Sequence, residues 1–221
     1  MEAEQQMPLV ARVRMPEGGQ FLVRVEEGLI QDGTVTADTV GKFIVALDYG
    51  EDAGFVAGVE PYDERNHGAR LPGFRLLRPF TEQDERTVEE NGRLAAVMRT
   101  MFMNSVKGSP DLRIPYVRLS FGRKRLFMKY VIENAKPNFS AAQDLLKRQY
   151  GLDVSVRAMG PRDEIAEFGG LGPCGRVCCC CSWQHRFPQH ISPGKHMSCG
   201  QSMNGTCGRF KCCLAFERDS Q

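Results

Sequence analysis

Across the first eighty positions, apolar residues alternate with polar ones at the two-residue period of a half-buried strand. Leu9, Ala11, Val13 and Met15 fall on one face; so do Phe21, Val23 and Val25, then Phe43, Val45 and Leu47, then Phe55, Ala57 and Val59. Pro16-Glu17-Gly18-Gly19 and Asp48-Tyr49-Gly50 supply turn chemistry between these runs. The pattern predicts a β-rich N-terminal lobe over residues 1–80, with Pro61 to Gly73 as an exposed loop.

The period then lengthens. Thr81 with Asp84 reads as a helix start, and Val88, Leu94, Met98, Met101, Phe102 and Val106 recur at helical spacing toward a stop near Gly108-Ser109-Pro110. Residues 116–121 and 124–132 read as two strands about a Gly122-Arg123 turn. Asn138 caps a second helix whose Phe139, Ala142, Leu145, Leu146 and Tyr150 share a face, and Gly151 ends it before a strand from Leu152 to Val156. The order helix, strand, strand, helix, strand over residues 81–160 predicts a ferredoxin-like αββαβ middle, provided an earlier strand joins its sheet. The methionines and aromatics of these helices are core positions. The fold class expected for the whole chain is therefore α+β, completed by a cysteine-rich segment over residues 161–221.

Composition adds little until it is read locally. With 42% hydrophobic and 25% charged residues in 221, the chain can bury a core of its own. The net charge of +2 conceals an asymmetry: residues 1–110 hold 12 Lys/Arg against 18 Asp/Glu, and residues 111–158 hold 10 against 4. That basic stretch makes Arg113, Arg118, Arg123, Lys124 and Arg125 candidate phosphate contacts, although the same charges also suit a solvated face. The opening MEAEQQMPLV lacks a basic region followed by an apolar core, and no run approaches eighteen apolar residues. The expectation is a cytoplasmic protein without a membrane span.

All nine cysteines lie between Cys174 and Cys213. An odd number, four of them consecutive, argues against a disulfide framework of the secreted kind. They form an internal repeat. Cys174, Cys179 and Cys180 match Cys207, Cys212 and Cys213 in two C-x4-C-C triplets 33 residues apart, each with Gly-Arg after its first cysteine. Thiolates at short spacing suit a soft cation or an iron-sulfur cluster, since several sulfurs reach one metal at little loop-closure cost. Each arginine would offset thiolate charge. Each triplet is one short of four ligands, leaving Cys178, Cys181, Cys199, His185, His190, His196 or another protein to complete a set; three thiolates with one imidazole would suit zinc. Buried unligated thiols and a thiol-redox enzyme are the competing readings. Phe168-Gly169-Gly170-Leu171-Gly172-Pro173 reads as a rigid lead into the segment, with partner recognition as the alternative.

The stretch GPRDEIAEFGGLGPCGR, followed by CGRFKCCLAFE, resembles the RicT (YaaT) family, which carries the polymerase-suppressor (PSP1) C-terminal domain. The resemblance covers roughly residues 115–217 and rests on R-D-E, then G-G-x-G-P-C-G-R, then C-G-R-x-x-C-C-L. It implies a non-enzymatic regulatory subunit that forms, with two small helical partner proteins, a complex carrying [4Fe-4S] clusters, associated with ribonuclease Y and mRNA maturation and, in spore formers, with cell-fate phosphorelays. By matching positions it implies Cys174, Cys179, Cys180, Cys207, Cys212 and Cys213 as cluster ligands. Cys178, Cys181 and Cys199 depart from the family pattern as extra thiols. A zinc-stabilised RNA- or protein-binding module is the alternative expectation.

Overall fold

A computed structural model describes residues 8–67, 70–106, 111–132, 137–181 and 203–212. The chain is mixed α+β and forms two compact units. Residues 1–110, 116–128 and 135–156 make the first; residues 111–115, 129–134 and 157–221 make the second. Its elements in order are β1 (Leu9–Arg14), β2 (Gln20–Val25), α1 (Glu27–Gln31), β3 (Gly41–Leu47), β4 (Gly50–Pro61), α2 (Glu64–His67), β5 (Arg75–Pro79), α3 (Glu82–Ser105), β6 (Arg113–Leu119), β7 (Arg125–Val131), α4 (Ser140–Tyr150), β8 (Asp153–Ala158) and α5 (Pro161–Phe168).

In the first unit, β1 to β5 close into a barrel in the order β1-β2-β5-β3-β4, with β4 returning to β1. Closure removes the open edges of a five-stranded sheet. The inward positions Val13, Val23, Val45, Val56 and Leu76 are fully buried, so β-branched residues fill the lumen where they pack best. One prediction fails by a single residue. On β4 the buried side is Asp52, Gly54 and Val56, while Phe55 and Ala57 face out; Val59 is buried as expected. Against β1 the register runs Arg12 with Gly58 and Val13 with Val56, so Ala57 is an extra residue. Because side chains alternate with period two, that bulge inverts the phase on its N-terminal side. Gly54 is required there: a Cβ would overlap the Val13 methyl and lie 3.1 Å from the Met15 sulfur.

The inward Asp52 carboxylate has no solvent exposure. Burying it without partners would be costly, and it is fully partnered. Arg118 of β6 donates to both its oxygens (2.8 and 2.7 Å), Tyr49 Oη donates at 2.8 Å, and the Phe121 and Ala53 amides donate at 3.0 and 2.9 Å. Arg118 also pairs with Glu17 and lies over the Phe127 ring. Burial opposes its charge, but the two carboxylates outweigh that and hold its pKa above the ordinary value. Burial first, then the Asp52 charge, pushes the Tyr49 hydroxyl well above the usual tyrosine range.

Helix α3 starts at the expected capping box. Asp84 accepts from the Thr81 amide at 2.8 Å and from both ends of the Arg78 guanidinium at 2.6 and 2.8 Å. Its buried face is Asp84, Asn91, Ala95, Met98 and Phe102, whereas Val88 is exposed. Asn91 donates to the carbonyls of Ser120 and Phe121 and accepts from Arg123 at 2.6 Å, tying the β6–β7 turn to the helix. The Asn138 side chain accepts from the Ser140 amide at 2.9 Å, and Gly151 ends α4 with its N–H on the Lys147 carbonyl.

Strands β6, β7 and β8 form a separate three-stranded sheet in that order. The Asp153 amide bonds the Lys124 carbonyl and the Met159 amide bonds the Tyr130 carbonyl, so numbering rises together along β7 and β8. That parallel pairing is crossed over by α4. A ferredoxin-like sheet would insert an earlier strand between them. Among the described residues none enters, because β5, the strand before α3, is held in the barrel by β2 and β3. No described helix is long and apolar enough to cross a membrane.

Candidate functional site

The second unit presents the cysteine segment as two copies of one knuckle. After α5, which begins at Pro161 with Asp163 accepting from the Gly160 amide at 3.0 Å, the chain turns back so that Leu171 bridges Val177. Gly172 N–H donates to Arg176 O at 2.8 Å, Gly175 N–H to Gly172 O at 2.9 Å, and Cys178 N–H to Gly170 O at 2.9 Å. Thirty-three residues on, the same bonds recur with the same lengths: Gly205 to Arg209, Gly208 to Gly205 and Lys211 to Met203, with Asn204 bridging Phe210. Gly175 and Gly208 both sit at φ 73°, a left-handed conformation that costs other residues about 1–2 kcal/mol. The glycine after each first cysteine thus sets the turn that aims the thiol.

These knuckles place six cysteines on one cavity of about 70 Å³, lined by Cys174, Cys178, Cys179 and Cys180 of the first copy and Cys207 and Cys212 of the second, with Ile165 and Phe210 among its apolar walls. On this measure one water needs about 10–15 Å³, so the space admits a group of several atoms. The copies are also bonded directly: Thr206 Oγ1 donates to Leu171 O at 2.7 Å, and Arg162 of α5 donates to Phe210 O at 3.2 Å. Neither residue stands out in the sequence by periodicity, since α5 has only eight residues and Thr206 takes the place of Pro173 in the repeat.

Chemically, the donor set fits a thiophilic group. All described cysteines are free thiols. Burial, then the neighbouring Cys181, Cys178 and Cys207 sulfurs, pushes the Cys180 thiol up to about 11, which is what crowded sulfurs do when no cation offsets their charge. Arg176 and Arg209 are exposed. Cys178, which lines the cavity, is buried, and Cys181 is half-buried. Cys213, Cys199, His185, His190 and His196 lie outside the described residues. Among the described residues, no three His, Cys, Asp or Glu side chains form a group able to hold a metal ion; the six cysteines share a cavity rather than a point.

The candidate phosphate contacts are differently occupied. Arg118 is committed to Asp52 and Glu17 in the barrel unit, which corrects its reading as a surface cation. Arg123 bonds Asn91 and Glu90, Arg125 stacks on Tyr49 at 4.4 Å, and Arg113 grips both Glu164 oxygens at 2.7 and 3.1 Å. Arg118 is the most enclosed of them, at 20% side-chain exposure, whereas Arg113 and Arg123 remain 59% and 48% exposed.

No family model and no solved structure matches the chain. Among known proteins it is similar to Stage 0 sporulation protein YaaT of Bacillus subtilis strain 168, with 28% identity over 181 residues. The alignment takes in 80% of this chain and 62% of the Bacillus protein, so the chain spans about three fifths of the length of the relative it matches. The likeness runs over four fifths of this chain's own residues.

Proposed function

We propose that this chain is a non-enzymatic regulatory protein that holds one or two [4Fe-4S] clusters through Cys174, Cys179, Cys180, Cys207, Cys212 and Cys213. The observation behind this reading is the pair of knuckles that repeat bond for bond and turn their thiols onto one cavity. Iron-sulfur clusters are held by cysteine thiolates. A bound cluster supplies ligation free energy that, in a segment so poor in aliphatic core, is also folding free energy. The chain's own residues do the rest. Gly175 and Gly208 set the turns, Gly172 leaves room for the Cys174 sulfur, which lies 3.3 Å from where a Cβ would stand, and Thr206 joins the two copies. The thiols must lose protons on ligation, so uptake releases protons and weakens as pH falls.

The relative's name concerns stage 0 of sporulation, and a regulatory role of that kind is the reading for this chain. Small helical partner proteins and ribonuclease Y are the proposed partners, with the first unit as their docking surface and mRNA maturation as the process governed. Anaerobic purification with visible absorption and with iron, sulfide and zinc analysis is the test. A brown protein that loses iron in the Cys174→Ser and Cys207→Ser variants supports the reading. A colourless zinc protein supports instead a zinc-stabilised interaction module, and metal-free thiols refute both.

A further inference from the structure

The first knuckle holds two thiols that the repeat does not require. Cys178 takes the place of Lys211, and Cys181 that of Leu214, so neither belongs to the matched triplets. Together they make a C-x-x-C pair. The Cys181 N–H donates to the Cys178 carbonyl at 2.9 Å, closing a single 3-10 turn over Cys179–Cys181. That hydrogen bond holds the two residues one turn apart, at its two ends. Both sulfurs also meet the same end of α5. Cys181 Sγ donates to the Ile165 carbonyl at 3.1 Å, while Cys178 Sγ lies 3.7 Å from where a Cβ at Gly170 would stand, a point 3.4 Å from Ile165 Cγ2.

We propose that Cys178 and Cys181 form a redox-active dithiol, distinct from the matched ligand thiols, that a low-molecular-weight disulfide oxidises to an intramolecular disulfide. Burial sets the order of events. Cys181, half-buried, attacks first; buried Cys178 resolves. Cys181 Sγ bonds one sulfur of the small disulfide and expels the other as a thiol. Cys178 Sγ then attacks Cys181 Sγ and expels the second small thiol. Two electrons and two protons pass from the protein to the small disulfide, which leaves as two thiols. The bridge fixes the turn that carries Cys179 and Cys180, and it forms whether or not those residues hold a cluster.

The full chain, purified anaerobically, is treated with oxidised glutathione, denatured in iodoacetamide and mapped by mass spectrometry. In the wild type the tryptic peptide of residues 177–186, which contains four cysteines, should lose two hydrogens and take up only two alkyl groups. Cys178→Ser should stop at a glutathione adduct on Cys181, and Cys181→Ser should show neither adduct nor disulfide. The double variant should show neither adduct nor disulfide. A two-hydrogen loss that survives in either single variant, or a wild-type peptide that takes up four alkyl groups, overturns the proposal. Wild-type protein that carries no iron yet forms the bridge overturns the cluster reading and upholds the dithiol.

Discussion

Replacing Asp52 by asparagine isolates the electrostatic part of the barrel, because shape is kept and charge is removed. The carboxylate accepts from five donors: both Arg118 terminal nitrogens, the Tyr49 hydroxyl and the amides of Ala53 and Phe121. An asparagine offers one acceptor oxygen with two lone pairs, so about three donors lose their partner at about 1 kcal/mol each. Arg118 is left 20% exposed beside Glu17 alone. Removing one member of a buried ion pair costs roughly 3–5 kcal/mol in general, which agrees with the donor count. At about 2–4 °C per kcal/mol for a domain of this size, Asp52→Asn should lower the melting temperature by on the order of 10 °C, read by circular dichroism with a parallel urea midpoint. Arg118→Met should cost a similar amount, and the double variant less than the sum, since the two side chains act as a unit. A melting temperature within about 2 °C of wild type, or additive costs, would refute the account.

Gly54→Ala should destabilise the barrel by about 1–3 kcal/mol through overlap with Val13, and its combination with Val13→Ala should cost less than the two separately in urea unfolding. The raised Tyr49 hydroxyl predicts an alkaline limit: the unfolded chain loses this proton near pH 10 while the folded one keeps it. Stability is therefore flat below that pH and falls above it, and Tyr49→Phe should flatten the fall in denaturation curves taken across the alkaline range. Gly175→Ala and Gly208→Ala each force a side chain to φ 73°; faster amide exchange at Cys178 and Lys211, at about 1–2 kcal/mol of lost protection, should appear without change in the barrel.

Signals confined to neighbouring residues were legible in the sequence: the Thr81 and Asp84 capping box, the Gly122-Arg123 turn, the Gly151 stop and the repeat of Cys174 onto Cys207 all take their expected local form. What escaped depends on distant partners. Nothing in the run from Phe55 to Val59 announces that Ala57 is the extra residue, because the bulge exists only relative to β1. Asn91 and Asp52 read as surface residues by type, yet they are buried where long-range donors meet them. The bonds from Thr206 and Arg162 that join the two copies likewise come from residues that carry no pattern of their own.

The closed ring of β1 to β5 restricts how another protein can engage the first unit. Strand addition needs a row of unpaired main-chain donors and acceptors at a sheet edge, and each strand of this ring already has two neighbours. The junction of β2 with β5 is the shortest, a parallel match of Arg24 with Arg75 and Val25 with Leu76 alone. A visitor must therefore read outward side chains, or part that short seam and pair its own backbone within it.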